Sequence, residues 1–197
     1  MGPLMSDATK PHSRKGQRSL FWLDQRSMIM ETRNAVDELM QHCRQIGLRR
    51  SRLTSRFYRF HRHNPALLDF LLQELLTLRA NDWRTSSFEM LWHHARWVLT
   101  YHRVPGESFA VCQNLMPHYS RLVIILFPEF NGFYRLKQCH ADREFGVRIG
   151  AENPITGLRS LVWADGTPIE QGWRPSTSYV IPTHPIPRRP PVQRAMQ

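Results

Sequence analysis

Asn64-Pro65-Ala66-Leu67-Leu68-Asp69-Phe70-Leu71-Leu72-Gln73-Glu74-Leu75-Leu76-Thr77-Leu78 is the stretch on which the fold of this 197-residue chain turns. The Asn-Pro pair reads as an N-cap followed by a first-turn proline. The asparagine side chain can satisfy an orphan backbone N–H, and proline has none to leave orphaned. The leucines and Phe70 that follow fall on most sides of a helix, so this helix is expected at the centre of a core. A second start signal, Ser86 with Glu89 three residues on, opens a stripe of Phe88, Leu91, Trp92, Ala95, Val98 and Leu99 that ends before Pro105-Gly106.

Downstream, Phe109 and Val111 alternate with smaller or polar residues between Glu107 and Gln113, which predicts a short strand. Asn114 is then placed to cap a helix with Pro117 in its first turn and Leu115, Tyr119, Leu122, Val123 and Leu126 facing inward. Beyond His140 the period shifts towards two, through Phe145, Val147 and Ile149 and later Leu161, Val162 and Trp163. The turn pair Asp165-Gly166 predicts a hairpin over Arg159 to Trp173. The expected fold is mainly α with a small β component: a winged-helix-like or related helical core carrying C-terminal β-hairpins. Trp83, Trp92, Trp97, Phe127, Phe130, Phe133 and Tyr134 stand at helical spacing and are assigned to that core.

Upstream, Val36, Leu39, Met40, Cys43 and Ile46 make an amphipathic helix that starts near Ser27 and ends near Gly47. Its stripe has to be buried against the following domain or against a partner copy. The chain therefore divides into a flexible basic tail (1–19), the amphipathic helix with an Arg-rich connector (20–63) and a helical core domain (64–140). A β-hairpin extension (141–180) follows, then a Pro-rich disordered tail (181–197) holding Pro182, Pro185, Pro187, Pro190 and Pro191.

Charge is unevenly spread along these parts. Lys+Arg 27 against Asp+Glu 16 gives +11, and 24 of the 27 bases are arginine. Residues 1–63 hold 13 Lys/Arg and 5 Asp/Glu, leaving +8, whereas residues 64–140 leave only +1 and residues 141–197 only +2. Arg49, Arg50, Arg52, Arg56, Arg59 and Arg62 surround Phe57, Tyr58 and Phe60 with no carboxylate between them. Such a block neutralises phosphates, and arginine does so bidentately, which makes a nucleic acid the expected partner and duplex DNA favoured over RNA. As the run approaches Asn64 in helical form, Phe57 and Phe60 dock inward and Arg52, Arg56, Arg59 and His63 share the outer face.

The residues Phe57-Tyr58-Arg59-Phe60-His61, Asn64-Pro65, Arg96-Trp97, Phe109, Asn114, Tyr119-Ser120-Arg121-Leu122 and Pro128-Glu129-Phe130-Asn131-Gly132-Phe133 together resemble a group of small phage and bacterial proteins with no assigned activity. The resemblance spans about residues 57–137 and implies a phage-like context but no catalytic residues. Ala110 stands where that group carries lysine, and Asn114 and Arg121 are the matched polar positions. Arg121, one turn into its helix, joins the six arginines as a candidate phosphate contact, with an intramolecular ion pair as its other role.

No enzyme chemistry is legible. Cys112, His118, Cys139 and His140 are soft or borderline ligands, yet their spacing matches no compact zinc pattern, so no metal and no cofactor is expected. His93 and His94 point about 100° apart on a helix and cannot share one ion. Acids are spread singly, and Asp142 with Glu144 reads as a solvated turn. Gly-rich phosphate loops and nucleophile elbows are missing. Three cysteines at wide spacing fit a reducing interior, and no stretch of about 18 apolar residues suggests a membrane span.

The expected function is a non-enzymatic, nucleic-acid-binding phage-type protein in the host cytoplasm, in a regulatory or DNA-handling role. One alternative is a virion or assembly protein that pairs through the helix at 27–46, as a homo-oligomer or with another protein, its basic surface meeting acidic protein. Another is an inhibitor of a host nucleic-acid enzyme.

Overall fold

Arg33 to Cys43 place an apolar residue at each inward turn, and the helix they form, α1, is described over residues 33–45 of a computed structural model that describes residues 33–101, 111–152, 154 and 156–176. Ala35, Val36, Leu39, Met40 and Cys43 are buried within this chain's own core. From Ala35 to Cys43 the stripe is thus covered by the following domain, and the expected start of the helix near Ser27 lies outside the described residues. Ile46, expected at the end of the stripe, is 52% exposed, because the helix has already unwound there. Gly47 takes φ +80°, its N–H donates to the Arg44 carbonyl at 3.1 Å, and the Leu48 N–H reaches back to Cys43 at 2.9 Å. That pair of bonds satisfies orphan carbonyls at the helix end and needs a left-handed residue between them.

Helices α2 (Arg52–His63), α3 (Ala66–Ala80), α4 (Phe88–Tyr101) and α5 (Met116–Leu126) follow, then a short α6 (His140–Phe145) and the strands β1 (Val147–Glu152) and β2 (Arg159–Trp163). The mainly helical class with a small C-terminal hairpin is the architecture observed. Its centre differs from expectation. α3 buries Leu67, Leu68, Leu71, Leu72 and Leu75, but α5 is buried at every residue from His118 to Leu126 and packs against α3, α4 and α6.

Three cap assignments shift. Asn64 does not cap α3: its side-chain amide donates back to the Phe60 carbonyl at 2.9 Å, closing the end of α2, and Pro65 itself occupies the cap position. Ser87 rather than Ser86 caps α4, its Oγ accepting from Met90 N–H at 3.3 Å. Ser86 instead donates its N–H to the Phe133 carbonyl at 2.8 Å in a bridge with Tyr134. Asn114 is exposed, and α5 is entered through a 3₁₀ turn at Gln113–Leu115. Most of the strand expected at 107–113 lies outside the described residues; residues 111 and 112 are not in a strand.

The hairpin also has a different partner. β2 pairs antiparallel with β1, placing Val147 opposite Trp163 and Ile149 opposite Leu161, with an irregularity between Ile149 and Glu152. Asp165-Gly166 still turns the chain, but into a short return where Val162 bridges Pro168. Phe145, grouped with the alternating residues, closes α6, which Gly146 ends at φ +67°. The hairpin belongs to the core, since Val147, Leu161, Trp163 and Ile169 are all buried in it. Asn131 fixes it there, accepting from Leu161 N–H at 2.7 Å and donating to the Leu161 carbonyl at 2.9 Å. A single side-chain amide thereby takes the place of a neighbouring strand on β2's free edge. The tails at 1–19 and 181–197 lie outside the described residues.

Candidate nucleic-acid interface

α2 starts cleanly because Ser51 Oγ accepts from Leu53 and Thr54 N–H at 3.1 and 3.2 Å. Its inner face is Thr54, Phe57 and His61, all buried. Phe57 is the anchor: its ring lies 5.0 Å from His118 in a stack and 5.2 Å from Tyr119 edge-on. Phe60 is half-buried, and His61 sits with Nδ1 3.3 Å from the Tyr119 hydroxyl. With the helix advancing 100° per residue, Arg52, Arg56, Arg59 and His63 fall opposite that anchored face. All four are exposed. From Arg52 to Arg59 the stripe runs for about 10 Å.

The remaining arginines of the run divide. Arg49 is exposed beside the start of α2. Arg50 is partly buried, with Nη2 donating to the Met40 carbonyl at 3.4 Å and its guanidinium 5.0 Å above the Tyr58 ring. The Arg62 guanidinium also lies 5.8 Å from the centre of that ring, and the Tyr58 hydroxyl donates to Asp37 at 2.6 Å. Arg50 is therefore part of the joint between α1 and α2, while Arg49, Arg52, Arg56, Arg59 and Arg62 keep their charge outward. Among the described residues, Arg52, Arg56 and Arg59 form no ion pair with a carboxylate.

Arg121 is elsewhere and inside. It is 3% exposed, its Nε donates to Asp142 at 2.7 Å, Nη2 to the Lys137 carbonyl at 2.5 Å and Nη1 to Ser120 Oγ at 3.0 Å. A guanidinium so committed offers nothing to a phosphate, and the ion-pair role is the one it plays. Asp142 in turn accepts the Cys139 N–H at 2.8 Å, so the pair also fixes the start of α6. The expected solvated turn at Asp142 and Glu144 is a helix instead, with Asp142 buried and Glu144 partly buried. The burial of α5 bears on the winged-helix-like variant too, because that helix has no free face to lay in a groove.

Glu144 approaches a second buried group. Its Oε2 lies 3.2 Å from His118 Nε2, and Thr54 Oγ1 lies 3.2 Å from the same nitrogen. Hydroxyl, imidazole and carboxylate here converge on one ring atom; a relay for nucleophilic attack needs them on opposite nitrogens. Thr54 is moreover 1% exposed, out of a substrate's reach. Burial is the main influence on His118 and lowers its pKa; Glu144 pulls the other way, and His140 and Arg121 reinforce the lowering. His140 completes a group with His118 and Glu144 that sequence spacing did not reveal, since Glu144 was assigned to a turn. His93 and His94 go to separate acids, Glu89 at 3.8 Å and Glu74 at 3.1 Å.

A basic cleft was also missed. Arg135, Lys137 and Arg159 line a cavity of about 580 Å³ between the segment before α6 and the hairpin, with Glu152 at its rim. Arg159 stands more than 20 positions after Arg135 and Lys137 and joins them only because β2 returns beside residues 135–138. Of the aromatics assigned to the core, Trp92, Phe127, Phe130, Phe133 and Tyr134 are buried, whereas Trp83 and Trp97 are 54% and 63% exposed. Comparison with known protein families, curated proteins and solved structures finds no match to this chain.

Proposed function

We propose that this protein is a non-enzymatic nucleic-acid-binding protein that docks on duplex DNA through the outer face of α2, in the regulatory or DNA-handling role of a phage-type protein within a host cell. The observation that carries this is the exposed stripe Arg52, Arg56 and Arg59, held rigidly by the buried Phe57 and free of carboxylate partners among the described residues. Arginines fixed on a helix lose little further freedom when they meet phosphates, and each neutralised phosphate releases counterions. α2, rather than a helix preceding a wing, is the docking element. No helix of the described residues is long and apolar enough to cross a membrane.

The test is a gel-shift titration of duplex DNA at several salt concentrations with the parent and Arg52→Ala/Arg56→Ala/Arg59→Ala. If all three meet phosphates, the log–log salt slope falls by about 2.7, at about 0.9 per phosphate. An unchanged slope, or no binding by the parent at low salt, refutes the proposal. Duplex RNA run in parallel separates DNA from RNA.

A second class of function draws on a different observation. Met90 and Trp97 lie seven residues apart on the outer face of α4, at 49% and 63% exposure, with Trp83 at 54% just before the helix. Exposed large apolar side chains of this kind favour a protein partner. In this assembly or inhibitor reading the Arg52→Ala/Arg56→Ala/Arg59→Ala variant binds DNA as weakly as the parent, and Trp97→Ala abolishes the partner contact.

A further inference from the structure

His118, His140 and Glu144 come from two helices and present one donor atom each, all within 4.8 Å of one another. His140 and Glu144 are four residues apart on α6 and so share a face of that helix. His118 enters from α5. Its side chain is fully buried and that of Glu144 is 10% exposed, while His140 opens the cluster to solvent.

We propose that His118, His140 and Glu144 form a binding site for a borderline divalent transition metal, zinc being the ion that best suits the donors, with one coordination position left open towards solvent. Two imidazoles and a carboxylate are a three-ligand zinc set of the kind that keeps its fourth position for water. Softer or harder ions are matched less well, since thiolates favour copper(I) and all-oxygen cages favour magnesium or calcium.

The distances allow it. Two ligands about 2.1 Å from one zinc, at angles between 90° and tetrahedral, stand about 3.0–3.4 Å apart. His118 Nε2 and Glu144 Oε2 are 3.2 Å apart. Only His140 has to close in, and its exposed ring can rotate to do so.

Proton bookkeeping points the same way. Nε2 of His118 carries either one hydrogen or one lone pair, yet Thr54 Oγ1 and Glu144 Oε2 both lie 3.2 Å from it. With a lone pair, the threonine hydroxyl can donate, but the carboxylate then faces the lone pair. With a hydrogen, the carboxylate is satisfied and the Nδ1 lone pair is left in the core. Among the described residues Nδ1 has no hydrogen-bond partner in either case, so the balance is decided at Nε2. In the lone-pair tautomer, a cation between Nε2 and Oε2 turns the repulsion into coordination.

The experiment uses the full chain, stripped with a chelator and titrated with cobalt(II) as a visible probe and with zinc(II) in a thermal-shift assay. His118 belongs to the core, so the rim variants His140→Ala and Glu144→Gln carry the test. The expected result is one equivalent of cobalt with visible d–d bands, displaced by zinc, and a zinc-dependent rise in the unfolding midpoint. Each rim variant, folded by circular dichroism, loses at least about tenfold in zinc affinity. His93→Ala and Cys139→Ser retain the parent affinity. Absence of cobalt bands and of any zinc-dependent shift in the parent overturns the proposal, as does undiminished zinc binding in both rim variants. DNA binding by α2 does not enter this test, so its failure leaves the site standing.

Discussion

Asp142→Asn leaves a buried cation without its counter-charge. The Arg121 guanidinium is 3% exposed and meets one carboxylate and two neutral oxygens, from Lys137 and Ser120. Asparagine keeps the shape but only one oxygen, whereas Arg121 Nε and the Cys139 N–H use different carboxylate oxygens, so the amide NH2 must face one of these two donors. Removing one partner of a buried pair costs about 3–5 kcal/mol. The two remaining neutral acceptors, from Ser120 and Lys137, place this case at the low end, at about 3 kcal/mol. For a chain of this size each kilocalorie moves the midpoint by about 2–4 °C, so a fall of about 6–12 °C is expected. Urea unfolding at pH 7, followed by tryptophan fluorescence and circular dichroism, supplies the free energy. Arg121→Met/Asp142→Asn, which removes the cation as well, is expected to be less destabilised than the two single changes added together, with a coupling of about 1–3 kcal/mol. A loss under about 1 kcal/mol in Asp142→Asn, or strict additivity in the double variant, refutes the reasoning.

Two further outcomes follow from close packing in the same core. A Cβ at Gly172 would overlap the indole of the buried Trp163, so Gly172→Ala is expected to cost about 1–3 kcal/mol and to shift the near-ultraviolet dichroism of the tryptophans; an unchanged midpoint contradicts the packing. Burial raises the Cys43 thiol from 9.0 to about 11, with Arg50 opposing the rise. Its unfolded form ionises first, so stability is complete below pH 9 and declines as pH climbs towards 11, by up to about 2.7 kcal/mol from this group. Cys43→Ala removes that part of the alkaline decline, and identical pH slopes for parent and variant between those limits exclude it.

Elements whose signals are local were legible in the sequence. Gly47 ends α1 where the apolar stripe and the glycine together place the end, and Phe57 turns inward because the helical period leaves it opposite Arg52, Arg56 and Arg59. Signals with two possible users were misassigned. Asn64 can serve the helix before it or the one after it, and Ser86 and Ser87 compete for one cap until the bridge to Tyr134 takes Ser86. α5 was the least legible as a centre, since His118, Ser120 and Arg121 interrupt its apolar pattern. Their burial depends on Asp142, Glu144 and Thr54, which are 21, 26 and 64 residues away. Sequence spacing carries no information about partners that distant, and the His118–His140–Glu144 group was hidden for the same reason. Trp83 and Trp97 were misplaced because aromatic residues at helical spacing satisfy the core pattern whichever way they face.

On the proposed reading, the placement of carboxylates, more than the number of arginines, decides where a polyanion would dock. Asp37 is taken by the Tyr58 hydroxyl, Glu38 by Ser176, Glu74 by His94 and Asp142 by Arg121. None of these four acids bonds to Arg52, Arg56 or Arg59, which leaves the outer face of α2 without a carboxylate among the described residues. An arginine stripe with acids at i+4 would spend its charge along the helix; this one has none over Arg52–His63. The Phe57 anchor adds rigidity, since a stacked and buried ring fixes the helix rotation that aims the stripe outward. Charge free of partners and a backbone that cannot turn it away are separate requirements for phosphate binding, and α2 meets both with residues that sit three and four apart.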